Sequence, residues 1–181
     1  IMETLLLVKT CKRSDVKSIT LVMPCYPYAR QDKKDNPRGA ISGKDVADFF
    51  EMAGVNRIIC VGLHCSQIQG FFNIPCDNLY CAGLIHSKLK ELYFDSDRDF
   101  QNNYVVIAPD EGALKRAKNY ANLFRLPFMV LSKERDYSKK NVVDKSILIG
   151  DRKYLQDKTA IIVDDMCDTF GTILSVTNVL M

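Results

Sequence analysis

Residues 161 to 172 read IIVDDMCDTFGT. Three β-branched apolar side chains, Ile161, Ile162 and Val163, run straight into Asp164 and Asp165, and a Thr-x-Gly-Thr turn follows. Such a run meeting a polar, glycine-containing turn reads as a buried strand that ends at the start of a helix. Backbone N–H groups at a helix start point outward and favour anions, so Asp168 to Thr172 is a candidate phosphate cradle. Gly171 lets the main chain approach closely, and Thr169 and Thr172 add hydroxyl donors. Carboxylates beside a phosphate would be repelled by it, unless they accept hydrogen bonds from sugar hydroxyls or face a hydrated Mg²⁺. A phosphorylated sugar meets both demands. The alternative is an Asp-rich N-cap on an ordinary turn, since Asp and Thr are strong capping residues. The stretch alone leaves both readings open.

Outward from this segment, β-rich runs alternate with helical patterns. SITLVMP (18–24), RIICVGL (57–63), YVVIAPD (104–110), PFMVLS (127–132) and TAIIVDD (159–165) each read as a buried strand of a mostly parallel sheet. Between the first two, Val46, Phe49, Phe50 and Ala53 fall at helical spacing, and Gly54 is placed to close that helix. Ala113, Ala117, Tyr120, Ala121 and Phe124 mark another amphipathic helix. IMETLLLVKTCK at the start and TILSVTNVLM at the end also read as helices. The pattern predicts doubly wound, mostly parallel α/β architecture, with a boundary between two α/β halves in the range 80–95 that composition alone does not fix. FDSDRDFQNN (94–103) and the charged stretch from Lys133 to Asp144 read as surface loops. In such sheets ligands bind beyond the carboxyl ends of the strands, which directs attention to the residues after Met23, Leu63, Pro109, Leu131 and Val163.

Composition narrows the class. The 181 residues are 47% hydrophobic and 26% charged, enough for a soluble core. A net charge of +3, with no basic stripe carrying interleaved aromatics, argues against a nucleic-acid partner. Apolar runs are strand-sized, well short of the ~20 residues of a membrane span, so no membrane partner is expected. Seven cysteines, an odd number, read as reduced thiols in the cytoplasm.

Two further sets of residues carry chemistry. In Arg30-Gln31-Asp32-Lys33-Lys34-Asp35, after the first strand, the cations suit a triphosphate, and an amide or carboxylate suits an adenine amino group. A solvated charged loop is the plainer alternative. His64 follows the strand RIICVGL, where a lone histidine is more often a satisfied rim residue than a ligand.

The strand leading to Asp-Asp-x-x-Asp-Thr-x-Gly-Thr resembles the 5-phosphoribosyl-1-pyrophosphate (PRPP) loop of the phosphoribosyltransferase fold. PYARQDKKD (27–35), LHCSQIQGFF (63–72), PCDNLY (75–80), APDEGALKRA (108–117) and SKERD (132–136) extend the resemblance along nearly the whole chain. Together they are similar to the ribose-phosphate pyrophosphokinases, which make PRPP from ATP and ribose 5-phosphate. Family chains are longer and have two domains, so the resemblance implies a middle portion. Residues 1–82 would belong to the first domain, on the ATP side, and residues 83–181 to the second, on the ribose 5-phosphate side.

The resemblance implies roles residue by residue. Arg30, Gln31 and Asp35 would contact ATP. Asp164, Asp168, Thr169, Gly171 and Thr172 would hold ribose 5-phosphate. His64 and Asp110 would serve Mg²⁺, while Lys133 and Arg135, in the charged loop after PFMVLS, would carry catalysis together with His64. Arg38, Ser66, Gln69, Asn78 and Tyr80 match positions linked to an allosteric phosphate or nucleotide site, and the family implies a homo-oligomer. Two departures stand out: Gly62 replaces a usual Asp two residues before the histidine, and Glu111 and Ala113 alter the turn beside Asp110. These keep open a non-catalytic regulatory paralogue, whereas a salvage phosphoribosyltransferase would lack PYARQDKKD and LHCSQIQGFF. The C-x4-C pairs Cys60/Cys65 and Cys76/Cys81 have a spacing that zinc can use, but Cys60 lies mid-strand, and inert thiols are the expectation. The 181 residues by themselves are expected to be inactive, for want of a neighbouring subunit's contribution to the adenine pocket.

Overall fold

A computed structural model describes residues 1–34, 36–134, 145–150 and 152–181. The chain divides into two compact units, Ile1–Cys81 and Ala82–Met181.

The first unit carries β1 (Thr20–Met23), β2 (Arg57–Val61) and β3 (Cys76–Leu79) as a parallel sheet in the order β1-β2-β3. Thr20 stands opposite Arg57, and Ile58 opposite Cys76. Helix α1 (Met2–Arg13), helix α2 (Ser42–Ala53) and a 3₁₀ turn (Ser66–Phe71) share one core with this sheet. Val8, Val46, Phe50, Ile58, Cys60 and Ile68 meet there. The helical spacing of Val46, Phe50 and Ala53 buries them together, whereas Phe49 remains on the surface. Gly54 closes α2 at φ 109°, a left-handed conformation in which a Cβ would stand 2.5 Å from Lys12 Cε. The first strand is not buried on both faces as its sequence predicts. It is an edge strand, and Val22 is 58% exposed while Met23 enters the core.

The second unit carries β4 (Tyr104–Ala108), β5 (Phe128–Glu134), β6 (Lys145–Ile149) and β7 (Thr159–Ile162), ordered β6-β5-β4-β7. β4 pairs in parallel with β5 and β7, and β6 runs antiparallel to β5. Helices α3 (Ala82–Leu89), α4 (Phe100–Asn103), α5 (Leu114–Phe124) and α6 (Gly171–Leu180) complete it. Alternation along β4 sends Val106 and Ala108 towards Ala117, Ala121 and Phe124 of α5. Val105 and Ile107 enter a second core with Met129, Leu131 and Val176 of α6. Layers on both faces of a largely parallel sheet are the expected doubly wound arrangement.

Three sequence expectations are corrected here. β3 and β6 are strands that periodicity did not announce. The segment 94–103 is a surface loop only in its middle, where 95–99 are mostly exposed turns: Phe94 ends a π turn, is buried, and stacks on Phe100 of α4 at 5.0 Å. Lys133 and Glu134 continue β5, opposite Ser146 and Lys145 of β6.

Candidate active site

In the first unit the site residues lie on the loops after β1 and β2. The chain leaving β1 is fastened to the start of α2. The Tyr26 hydroxyl donates to the Gly43 carbonyl at 2.8 Å, and Gly43 N donates to the Gln31 carbonyl at 3.1 Å. Burial first, then nearby Cys60, Cys76 and Asp48, push the Tyr26 phenol above its usual range, so it remains a donor. A Cβ on Gly43 would meet the Gln31 and Tyr28 carbonyls at 3.2 and 3.3 Å, so glycine permits this close crossing. Ala29 is buried, and Tyr28 turns the chain at φ 56°. Arg30 and Gln31 are thereby presented to solvent from a fixed base. Asp35 lies outside the described residues.

After β2, Gly62 adopts φ 64°, which a glycine accepts at little cost, and its N–H donates to the Leu79 carbonyl at 2.8 Å. Leu63 N donates to Asn78 Oδ1 at 3.1 Å, fixing the buried leucine so that the exposed His64 stands at the crest of the turn. Asn78 is thus a structural support of the His64 turn, a use that sequence reasoning did not assign to it. Next to it, the Cys65 thiol donates to Asp32 Oδ2 at 2.9 Å. Burial and this carboxylate, in that order, push the Cys65 thiol upward. No sequence signal links two residues this far apart.

The residues matched to an allosteric site are spread around these loops. Ser66 and Gln69 share the 3₁₀ turn, where Gln69 Nε2 donates to the Ser66 carbonyl at 3.0 Å. Tyr80 follows β3 and is 70% exposed, while Arg38 sits at φ 65° in the turn closed by Gly39 N and the Asn36 carbonyl. Cys60 is buried in β2 and pushed up to about 12, chiefly by burial. All seven cysteines are free thiols.

In the second unit the described loops after β4 and β7 open at the carboxyl ends of adjacent strands. Asp110, after β4, accepts the Ala113 N–H on Oδ1 at 3.1 Å. Glu111 accepts the Ser132 hydroxyl at 2.9 Å, bridging the Asp110 turn to β5. Sequence reasoning read Glu111 only as a departure and did not see this bridge. Beyond β7, Val163 N donates to the Ile107 carbonyl at 3.0 Å, so the strand's hydrogen bonding continues up to the aspartates. Asp164 is half-buried and accepts the Asp165 N–H at 2.8 Å. Desolvation above all, with crowding from the Asp165 and Asp110 carboxylates, holds Asp164 above the ordinary carboxylate range. The second unit therefore brings Asp110 and Asp164 together. Lys133 is placed by β5, whereas Arg135 falls outside the described residues.

The loop from Asp168 to Gly171 is exposed. Helix α6 begins at Gly171, and its N-cap is Phe170 at φ 60°, with no side-chain capping hydrogen bond. The Asp-rich cap is thus not what the aspartates make at this position. A Cβ on Gly171 would meet only Thr169 Oγ1, at 3.6 Å, an ordinary contact. The open space beside Gly171 and the uncapped helix start suit an anion.

Carboxylates crowded beyond β4 and β7 fit a hard divalent cation that retains water and phosphate ligands. Among the described residues no group of three or more His, Cys, Asp or Glu forms a cage of protein ligands. Mg²⁺ does not require one.

Comparison with known proteins agrees with both units. Residues 1–54 match the family described as the N-terminal domain of ribose phosphate pyrophosphokinase, and residues 76–181 match the phosphoribosyl transferase domain. The chain is 44% identical over 181 residues to ribose-phosphate pyrophosphokinase A of Dictyostelium discoideum, spanning all of this chain and 53% of that protein. It is also similar to the crystal structure of phosphoribosylpyrophosphate synthetase from Mycobacterium smegmatis, with a TM-score of 0.84 and 38% identity. That match covers 99% of this chain and 54% of the other. The chain thus spans about half the length of these relatives, and with matches in both units it belongs to the ribose-phosphate pyrophosphokinase family.

Proposed function

We propose that the full-length protein transfers the β,γ-diphosphoryl group of ATP to the anomeric hydroxyl of ribose 5-phosphate, giving PRPP and AMP. The observation that carries this reading is the opening of Asp164, Asp165 and the uncapped start of α6 at one strand end, in a chain whose other unit presents Arg30 and Gln31. The 5-phosphate would lie on the N–H groups at Thr169 to Thr172, and Asp164 and Asp168 would accept bonds from the ribose hydroxyls. Arg30, Gln31 and Asp35 would hold ATP. Lys133 and Arg135 would neutralise charge that develops during transfer. His64 and Asp110 would hold Mg²⁺, which when bound supplies charge neutralisation at the phosphates.

No side chain in the set is an obvious general base, so positioning and electrostatics carry the reaction. Arg38, Ser66, Gln69, Asn78 and Tyr80 would serve a phosphate or nucleotide effector, in a cytoplasmic homo-oligomer. The 181-residue chain alone is expected to be inactive. Among the described residues no helix is long and apolar enough to cross a membrane.

A non-catalytic regulatory paralogue is the second reading, favoured by Gly62 and by the Glu111 carboxylate bonded beside Asp110. A coupled AMP-release assay on the full-length protein, with ribose 5-phosphate, ATP and Mg²⁺, separates the two. Ribose-dependent AMP release is expected. No turnover where an authentic synthetase works would favour the paralogue.

A further inference from the structure

The bond from Cys65 to Asp32 spans 33 residues of sequence and joins the loop after β2 to the loop after β1. Its two ends differ in how firmly they are held. Cys65 lies in a turn fixed by Gly62 N on the Leu79 carbonyl and by Leu63 N on Asn78 Oδ1. The Cys65 carbonyl also accepts Ile68 N at 3.3 Å, and Ile68 is fully buried. The other loop is fastened as far as Gln31 by its bonds to Tyr28 and Gly43. Beyond that point Lys33 and Lys34 are exposed, and Asp32 is the half-buried residue among them.

We propose that Cys65 is a positioning residue for the nucleotide: its thiol holds Asp32 and so sets the Arg30–Lys34 segment for ATP. The inference rests on the reading of that segment as the ATP loop. A thiol donates a hydrogen bond that alanine cannot replace and serine can. Without that bond, ATP binding itself must order the segment beyond Gln31.

The test is ATP binding by calorimetry to the full-length protein with Mg²⁺, for the parent, Cys65→Ala, Cys65→Ser, Asp32→Ala and the double Ala variant. Cys65→Ala and Asp32→Ala should each weaken ATP by about tenfold, the effect of losing a hydrogen bond to a charged group. The double variant should lose no more than either single one, because both remove the same link. Cys65→Ser should stay within about twofold of the parent, and ribose 5-phosphate affinity should not move in any variant.

Parent-like ATP binding by Cys65→Ala, or additive losses in the double variant, would overturn the proposal and leave the ATP loop standing. Loss of ribose 5-phosphate affinity alongside ATP would also overturn it, as general damage. If Cys65→Ala does not fold, Asp32→Ala against Cys65→Ser decides. Parent-like ATP binding by Asp32→Ala counts against the link, and a tenfold loss with Cys65→Ser unchanged supports it. A parent that binds ribose 5-phosphate but no ATP would remove the ATP-loop reading and this proposal together.

Discussion

Folding shifts the Asp164 carboxyl above its ordinary range. Its pKa is raised above 3.8, mainly by burial, so over the window above that value the folded state retains a proton that the unfolded chain has released. Stability contributed by this group is therefore present at acid pH and falls as pH rises through the raised pKa. Asp164→Asn should melt higher than the parent at pH 7, and the gain should shrink towards zero below about 3.8, where both states are protonated. Thermal melts across pH read this directly, and a gain independent of pH would contradict it. The same variant should bind ribose 5-phosphate about tenfold more weakly, since it loses a charged acceptor for a sugar hydroxyl. Lys133→Ala in the full-length protein should lower kcat by about 10²-fold with a smaller change in KM, the pattern of a cation used in the transition state. Equal losses in binding and turnover would place Lys133 in ground-state binding instead.

Elements were legible where sequence and burial shared a period. β2, β4 and β7 carry runs of Ile and Val, and α2 and α5 place apolar residues on one face. β3 and β6 were not legible, and both lie at sheet edges. CDNL in β3 has polar residues at its centre, where Asp77 accepts from Arg57 and Asn78 accepts from Leu63 N. KSILI in β6 is an antiparallel partner of β5, outside the parallel pattern that the longer strands announced. In 94–103 four charged residues hide the two phenylalanines that turn the segment inward. The candidate site was legible as motifs, whereas the bonds that assemble it were not. Tyr26 to Gly43, Cys65 to Asp32 and Ser132 to Glu111 join residues distant in sequence and leave no periodic trace. Tyr26→Phe should cost about 1–3 kcal/mol by stranding the buried Gly43 carbonyl, measured by denaturant unfolding. A change of a few tenths would mean that water replaces the phenol.

At the scale of the whole molecule, two α/β units carry different parts of one proposed reaction. The first presents the loops read as the nucleotide side, and the second presents the strand ends read as the sugar side. Neither set of residues accounts for diphosphoryl transfer without the other, so family membership alone does not establish turnover. The direct measurement is AMP release by the full-length protein supplied with ATP, Mg²⁺ and ribose 5-phosphate. The account predicts AMP formed one-for-one with PRPP and only when ribose 5-phosphate is present. Absence of AMP under conditions that support an authentic synthetase would contradict it.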